Sequence, residues 1–243
     1  MQVQAELQQD LVFIGGGHTH ALVLRMLAMD PIAGLRITLI SPASHTPYSG
    51  MLPGLVAGHY SFEQTHIDLA RLCQWAGVRF IESEVTALDP VKKQLVLAGR
   101  PPVSYDLVSI DIGSQPELDS VPGARAHSVP VKPVAGLWQR WRELELKLGQ
   151  RDDPHRLAVV GGGAGSVELA LAMAHALAKR PVQVELFCGA PQVLLGYNRR
   201  ARASVMAALR RHEIKVHLDS RVAAVRGDAL VLADESRHLY DDL

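Results

Sequence analysis

Leu11-Val12-Phe13-Ile14-Gly15-Gly16-Gly17 is the stretch whose reading decides the fold. Four apolar residues in a row end in three glycines, and a helical pattern follows over 20–29. A short continuous apolar run is what a central parallel strand needs when both of its faces are covered. The same figure returns at Leu157-Ala158-Val159-Val160-Gly161-Gly162-Gly163, followed by a helical pattern over 167–179. Each helix leads to a further β-type run, at 36–40 in one case and 182–187 in the other. Strand, glycine turn, helix and strand make a βαβ unit, and the chain carries it twice.

The likeness continues outward from both units. Val78-Arg79-Phe80-Ile81 with Glu84-Val85-Thr86-Ala87-Leu88 resembles Ile214-Lys215-Val216-His217-Leu218 with Ser220-Arg221-Val222-Ala223-Ala224-Val225. Both lead into a β pair, with 94–97 in the first copy and 229–232 in the second. Tyr105-Asp106-Leu107 is then echoed by Tyr240-Asp241-Asp242-Leu243. In the first copy the chain runs on through Val108-Ser109-Ile110-Asp111-Ile112-Gly113, so the second copy reads as cut short at Leu243. Between the copies, 116–133 holds four prolines and little periodicity, which predicts a linker. A helix is expected over 137–149, with Trp138 and Trp141 on one packed face.

Composition narrows the function classes. Lys+Arg 25 against Asp+Glu 25 leaves no net field to attract nucleic acid or an anionic membrane. Hydrophobic content of 48% supplies a packed core, and 21% charged residues is too ordinary for disorder. Cys73 and Cys188 are far apart and form neither a disulfide framework nor a metal-spaced pair. The N-terminus is polar rather than signal-like, and no run of about 18 apolar residues is present to span a bilayer. These features predict a cytoplasmic protein with no nucleic-acid partner and no transmembrane segment.

A strand that runs through Gly-x-Gly into a helix brings backbone N–H groups and the positive helix end to one point. Glycine permits the tight turn and lets a pyrophosphate approach the backbone. Here His20 and Ser166 stand where a third glycine is usual, so each fingerprint is degenerate and the pairing carries the weight. An acidic residue is expected at the end of the second strand to hold the ribose. Ser41-Pro42 stands there in the first copy and Cys188-Gly189 in the second, which leaves NADH against NADPH open. Glu185 reads as a surface residue. Arg199, Arg200 and Arg202 read as a solvated helix start that lies near enough to influence the choice.

The paired loops Gly15-Gly16-Gly17 and Gly161-Gly162-Gly163-Ala164-Gly165-Ser166-Val167-Glu168 resemble those of the pyridine nucleotide-disulfide oxidoreductase superfamily. Gly15 to His20 together with Tyr48-Ser49-Gly50-Met51-Leu52-Pro53-Gly54 resemble a narrower branch. That branch is related to type II NADH dehydrogenases, and its members occur alone or fused ahead of a selenide, water dikinase domain. The resemblance covers essentially the whole chain. It implies an α/β fold of two Rossmann-like, three-layer domains in tandem, an FAD-binding domain over 1–125 and an NAD(P)-binding domain over 126–243.

The resemblance also implies FAD in the first copy and NAD(P)H in the second. By position, Gly15, Gly17, His18, Thr19 and His20 would hold the FAD pyrophosphate side, with Ser41 and Pro42 flanking the ribose. Val85 would meet the adenine, while Tyr48, Ser49, Gly50 and Pro53 would run along the ribityl and isoalloxazine side. Gly113 falls at a turn that relatives write Ala-Thr-Gly, where this chain has Asp111-Ile112-Gly113. Gly161, Gly163, Ala164, Gly165 and Ser166 would hold NAD(P)H, and Glu168 and Lys132 would lie at the nicotinamide end as catalytic candidates. The first-turn position expected for Glu168 also has a plain reading, a carboxylate stabilising a helix N-terminus. His18 and His20 read equally as loop and cap residues, with no third ligand at metal spacing.

The implied activity is an FAD-dependent NAD(P)H oxidoreductase with a small-molecule, quinone-like electron acceptor. No Cys-x4-Cys is present, so no dithiol relays electrons despite the superfamily's name. Relatives complete the flavin site with a Gly-Asp segment and a C-terminal domain beyond the position of Leu243. The alternative is a non-catalytic nucleotide-binding module that serves a selenide, water dikinase in selenium metabolism. A homodimer and a peripheral position at the inner face of the membrane stay open.

Overall fold

The first apolar run lies in β1 (Gln9–Ile14), which leads into α1 (His18–Met29), β2 (Leu35–Ser41) and β3 (His45–Pro47). A 3-10 turn at Ser49–Met51 precedes α2 (Leu52–Val56), α3 (Phe62–Thr65), β4 (His66–Asp68) and α4 (Leu69–Ala76). Then come β5 (Arg79–Glu82), β6 (Val85–Asp89), β7 (Gln94–Leu97), β8 (Arg100–Ser104) and β9 (Leu107–Ile110). The chain continues through α5 (Ala124–His127), α6 (Val134–Gly149), β10 (His155–Val160), α7 (Ala164–Ala176) and β11 (Val182–Phe187). It ends with α8 (Arg199–Arg211), β12 (Lys215–His217), β13 (Val222–Val225), β14 (Ala229–Leu232) and β15 (Arg237–Leu239). The computed structural model describes residues 9–150 and 152–243, so most of the polar N-terminal stretch lies outside it.

The described residues form two compact units, one of 9–48 with 63–114 and one of Ser49–Phe62 with Gln115–Leu243. In the first, a wholly parallel sheet runs in the order β5-β2-β1-β9. Strand alternation sends Phe13 and Leu39 to one face, where Leu24 of α1 and Leu69 and Cys73 of α4 cover them. Val12, Ile14 and Ile40 point to the other face, onto Leu95 and Leu97 of the antiparallel β6-β7-β8 meander. Burial on both faces is why the run at 11–14 carries no polar residue. α4 starts where the Asp68 carboxylate accepts the N–H of Arg71 at 3.0 Å, and it stops at Gly77, which is left-handed at φ 65°.

The second unit has the same layers. β12-β11-β10 is parallel, and Leu157, Val184 and Leu186 face Val167 and Ala170 of α7 and Leu137 and Trp141 of α6. Ala158 and Phe187 face Leu230 and Leu232 of the antiparallel β13-β14-β15 meander. α2 belongs to this unit, with Leu52 and Val56 buried in the α6–α7 core. Trp141 is buried and Trp138 packs beside it, with the Arg142 guanidinium 5.7 Å from the Trp138 ring.

The repeated sequence produces repeated ties. The Asp106 carboxylate accepts the N–H of Asp10 at 2.7 Å, and the Asp241 carboxylate accepts the N–H of Arg156 at 2.7 Å. Leu11 pairs in parallel with Leu107, and Leu157 bridges in parallel to Asp242. The stretch at 116–133, expected as a linker, holds the helical turn α5. Glu185, expected at the surface, has a side chain only 12% exposed because His217 on the next strand donates to its Oε2 at 2.6 Å. Leu186 sits fully buried mid-sheet, so Leu186→Ala is expected to destabilise by about 2–5 kcal/mol, read as a lower urea midpoint.

Candidate functional site

The strand order makes β1 a switch point, since β2 lies on one side of it and β9 on the other. Ligands of open α/β sheets bind in the crevice outside the strand ends at such a point. Gly15, Gly16 and Gly17 occupy it. The N–H of Gly15 donates to Ile40 O at 2.8 Å, which pins the turn to the next strand. Gly15 is left-handed at φ 89°, and a Cβ there would strike the backbone of Asp111; a Cβ on Gly16 would enter Leu69. These glycines are required by backbone conformation and by close approach.

His18, Thr19 and His20 form the first turn of α1. His18 and Thr19 are exposed, and His18 stacks on Tyr48 with ring centroids 4.9 Å apart. His20 does not face a ligand as expected. Its ring is buried beneath the loop, stacked on Phe13 at 4.5 Å. Nδ1 lies 2.7 Å from the carbonyl oxygen of Gly15 and must carry the proton, since a carbonyl can only accept. Nε2 is then left for the Ser109 hydroxyl at 2.9 Å. His20 therefore holds the glycine loop from below, and both of its polar atoms are already used.

Asp111, which sequence reasoning marked only as a departure from Ala-Thr-Gly, lies at the mouth of this loop. Its carbonyl accepts the N–H of Gly17 at 3.2 Å, and its Oδ2 accepts the N–H of His20 at 3.2 Å. The carboxylate also lies where a Cβ on Gly17 would be. An anion of the chain itself thus covers the N-terminus of α1, in the place a phosphate would take. Ser41 is buried at the end of β2 with Oγ close beneath Gly16, while Pro42 is exposed. Val85 opens β6 and pairs with Leu97, and Gly113 lies exposed at φ 75° beyond β9.

The second loop follows the same plan without the carboxylate. The N–H of Gly161 donates to Phe187 O at 2.8 Å, and a Cβ on Gly161 would meet the hydroxyl of Ser166, which takes the place beneath the loop. A Cβ on Gly162 would strike the Cys188 sulfur. Gly163 caps α7 with no side-chain acceptor, and around Gly163 and Gly165 there is open space. Ala164, Gly165 and Ser166 therefore present first-turn N–H groups to a crevice, a cradle that fits a phosphate. A cavity of about 640 Å³ includes Gly161, Ser166, Gly189 and Arg221 in its wall.

Glu168 is exposed on α7 but beyond its first turn, which contains no acidic residue, so the expected first-turn position is not found. Lys132 is exposed just ahead of α6. Ser49 and Gly50 lie in the 3-10 turn, and Pro53 in the first turn of α2, which packs into the second unit. Cys73 and Cys188 are both buried and free, and burial pushes the Cys73 thiol up to about 11. Cys188 behaves as a small apolar residue whose Sγ donates to Gln192 O at 3.6 Å. Among the described residues no cluster of His, Cys, Asp and Glu could hold a metal, and no helix is long and apolar enough to cross a membrane.

Comparison with known proteins agrees with this geometry. The family model for pyridine nucleotide-disulphide oxidoreductases matches residues 9–242. The chain is 29% identical over 169 residues to the NADH dehydrogenase-like protein YutJ of Bacillus subtilis, covering 66% of this chain and 43% of that one. It is 24% identical over 222 residues to the demethylphylloquinone reductase NdbB of Synechocystis, covering 89% and 54%. The structure of NDH2 from Plasmodium falciparum in complex with NADH superimposes with a TM-score of 0.82 at 15% identity, over 96% of this chain and 53% of that one. The chain spans about half the length of the curated relatives it matches.

Replacing His20 by Leu would leave Ser109 and the Gly15 carbonyl short of a partner beneath the loop. His20→Leu is expected to cost about 2–4 kcal/mol, from two lost hydrogen bonds and a lost ring stack, measured as a drop in unfolding free energy.

Proposed function

The chain belongs to the pyridine nucleotide-disulphide oxidoreductase family, and from that membership we propose that its two glycine loops hold two different nucleotides. FAD lies on the first loop and NAD(P)H on the second, in two Rossmann-like domains read as 1–125 and 126–243. The protein is an FAD-dependent NAD(P)H oxidoreductase. The observation that supports this best is the doubled cradle: two strand–glycine–helix turns with matching ties, each at the carboxyl end of a parallel sheet.

The chemistry FAD supplies when bound is acceptance of a hydride from NAD(P)H and delivery of two electrons to a second substrate. The chain's own residues bind and orient. Gly15 makes the tight turn, Gly17 leaves room for a pyrophosphate beside the first turn of α1 once the Asp111 carboxylate turns aside, and His18 and Thr19 offer exposed polar groups there. Gly161, Gly163, Ala164, Gly165 and Ser166 do the same for NAD(P)H. Ser41, Pro42 and Val85 flank the adenosine end of FAD, Tyr48, Ser49, Gly50, Pro53 and Gly113 its far end, and Glu168 and Lys132 the nicotinamide end. The buried cysteines take no part, which agrees with the missing Cys-x4-Cys.

The likeness to NdbB, which is named as a demethylphylloquinone reductase, supports a quinone-like acceptor. The same reading places the protein in the cytoplasm or peripherally at the inner face of the membrane. The test is anaerobic addition of NADH and NADPH to the full protein reconstituted with FAD. Bleaching of the flavin absorbance is expected, and a spectrum unchanged by either nucleotide overturns the assignment. Nucleotide binding without bleaching would instead favour the selenium-linked, non-catalytic module.

Asp111 generates a second expectation. Its carboxylate must turn aside before a pyrophosphate can reach the N-terminus of α1, and like charges oppose each other there. Asp111→Asn keeps the shape and an acceptor oxygen but removes the charge. It is expected to tighten FAD binding about fivefold to thirtyfold, equivalent to about 1–2 kcal/mol, measured by titration of flavin fluorescence.

A further inference from the structure

The usual reader of the adenosine ribose is a side chain at the end of the second strand, and the second unit has none that can serve. Cys188 is buried, with its sulfur under Gly162, and Gly189 has no side chain. What lies against Gly189 is Arg221. A Cβ on Gly189 would be 3.3 Å from both Cα and Cβ of Arg221 and 3.6 Å from its Cγ. Arg221 is exposed and shares the wall of the 640 Å³ cavity with Gly161 and Ser166.

The cavity's other charges are engaged. Glu143 pairs with Arg140 at 2.7 Å and Asp242 with Lys147 at 2.9 Å, while a carboxylate oxygen of Glu117 accepts the N–H groups of Asp119 and Ser120. Among the described residues, Arg221 is the cation of this wall that forms no ion pair. The internal repeat sharpens its meaning. Ser83 N donates to Ser41 O and Ala98 N to Glu84 O, as Ser220 N donates to Cys188 O and Ala233 N to Arg221 O. Arg221 thus stands in the second copy where Glu84 stands in the first. One cradle carries an anion beside its second strand and the other a cation.

We propose that Arg221 meets the 2′-phosphate of a nucleotide bound at the second glycine loop and so selects NADPH over NADH. A guanidinium makes charge-assisted, two-pronged hydrogen bonds to a phosphate, whereas a carboxylate in that place would repel it. The inference rests on the reading of the second loop as the NAD(P)H cradle.

The test is calorimetric titration of the full chain, equilibrated with excess FAD, with 2′-phospho-ADP-ribose and with ADP-ribose. The phosphorylated ligand is expected to bind about tenfold to a hundredfold more tightly, with a preference that shrinks as salt rises. Arg221→Ala is expected to remove that preference and leave ADP-ribose affinity unchanged, while Arg221→Lys keeps part of it. An unchanged melting temperature shows that the variants are folded. If ADP-ribose binds but the 2′-phosphate adds nothing, or if Arg221→Ala weakens both ligands alike, selection by Arg221 is overturned and the cradle stands. If neither ligand binds the folded chain, the cradle reading itself fails.

Discussion

Everything functional in this chain depends on backbone packed too closely to admit a side chain. At Gly15 and Gly16 the space a Cβ would need is taken by Asp111 and Leu69, and at Gly161 and Gly162 by Ser166 and Cys188. This closeness lets a strand turn at once into a helix while the N–H of the first glycine still reaches the neighbouring strand, at 2.8 Å in both loops. A longer turn would carry the helix N-terminus away from the sheet edge. The tight one leaves N–H donors and the positive end of the helix over the crevice.

With that constraint kept, the two copies have diverged in what surrounds it. Five residues after the first glycine of each loop, a side chain lies under the turn: the His20 ring in one, the Ser166 hydroxyl in the other. The imidazole reaches on to Ser109 and stiffens the first loop, whereas the hydroxyl simply fills the gap. Asp111 covers the first helix N-terminus, while α7 has no side-chain cap. One scaffold thus offers a guarded anion site and an open one.

The scaffold was legible because β-strands buried on both faces have to be continuously apolar. Residues 11–14 and 157–160 lie inside strands for that reason, 182–187 is a strand although Gln183 and Glu185 interrupt its apolar run, and 94–97 and 229–232 are strands with those bounds. Helix starts were less legible. α1 and α7 begin two and three residues before the first residue of their expected patterns, because glycine caps give no side-chain signal. Burial that depends on a partner far along the chain was hidden as well. Glu185 looks exposed until His217 arrives on the adjacent strand, and His20 looks like a ligand until Ser109 closes over it. Nor does sequence order reveal that 49–62 packs with the second unit, since that depends on Leu52 and Val56 fitting the α6–α7 core.

Net charge shows where composition stops being informative. Twenty-five cationic and 25 anionic side chains cancel, which argues against a broad field for nucleic acid. Cancellation over a whole surface says nothing about a crevice, where screening acts over about 8–10 Å and a single unpaired group sets the local sign. Most of the ions around the second cradle neutralise one another at 2.7–2.9 Å, as in Arg140–Glu143 and Lys147–Asp242. Because those pairs are satisfied, the unpaired guanidinium of Arg221 dominates its end of the cavity. Choice between two nucleotides that differ by one phosphate can then rest on one side chain in an electrically neutral protein.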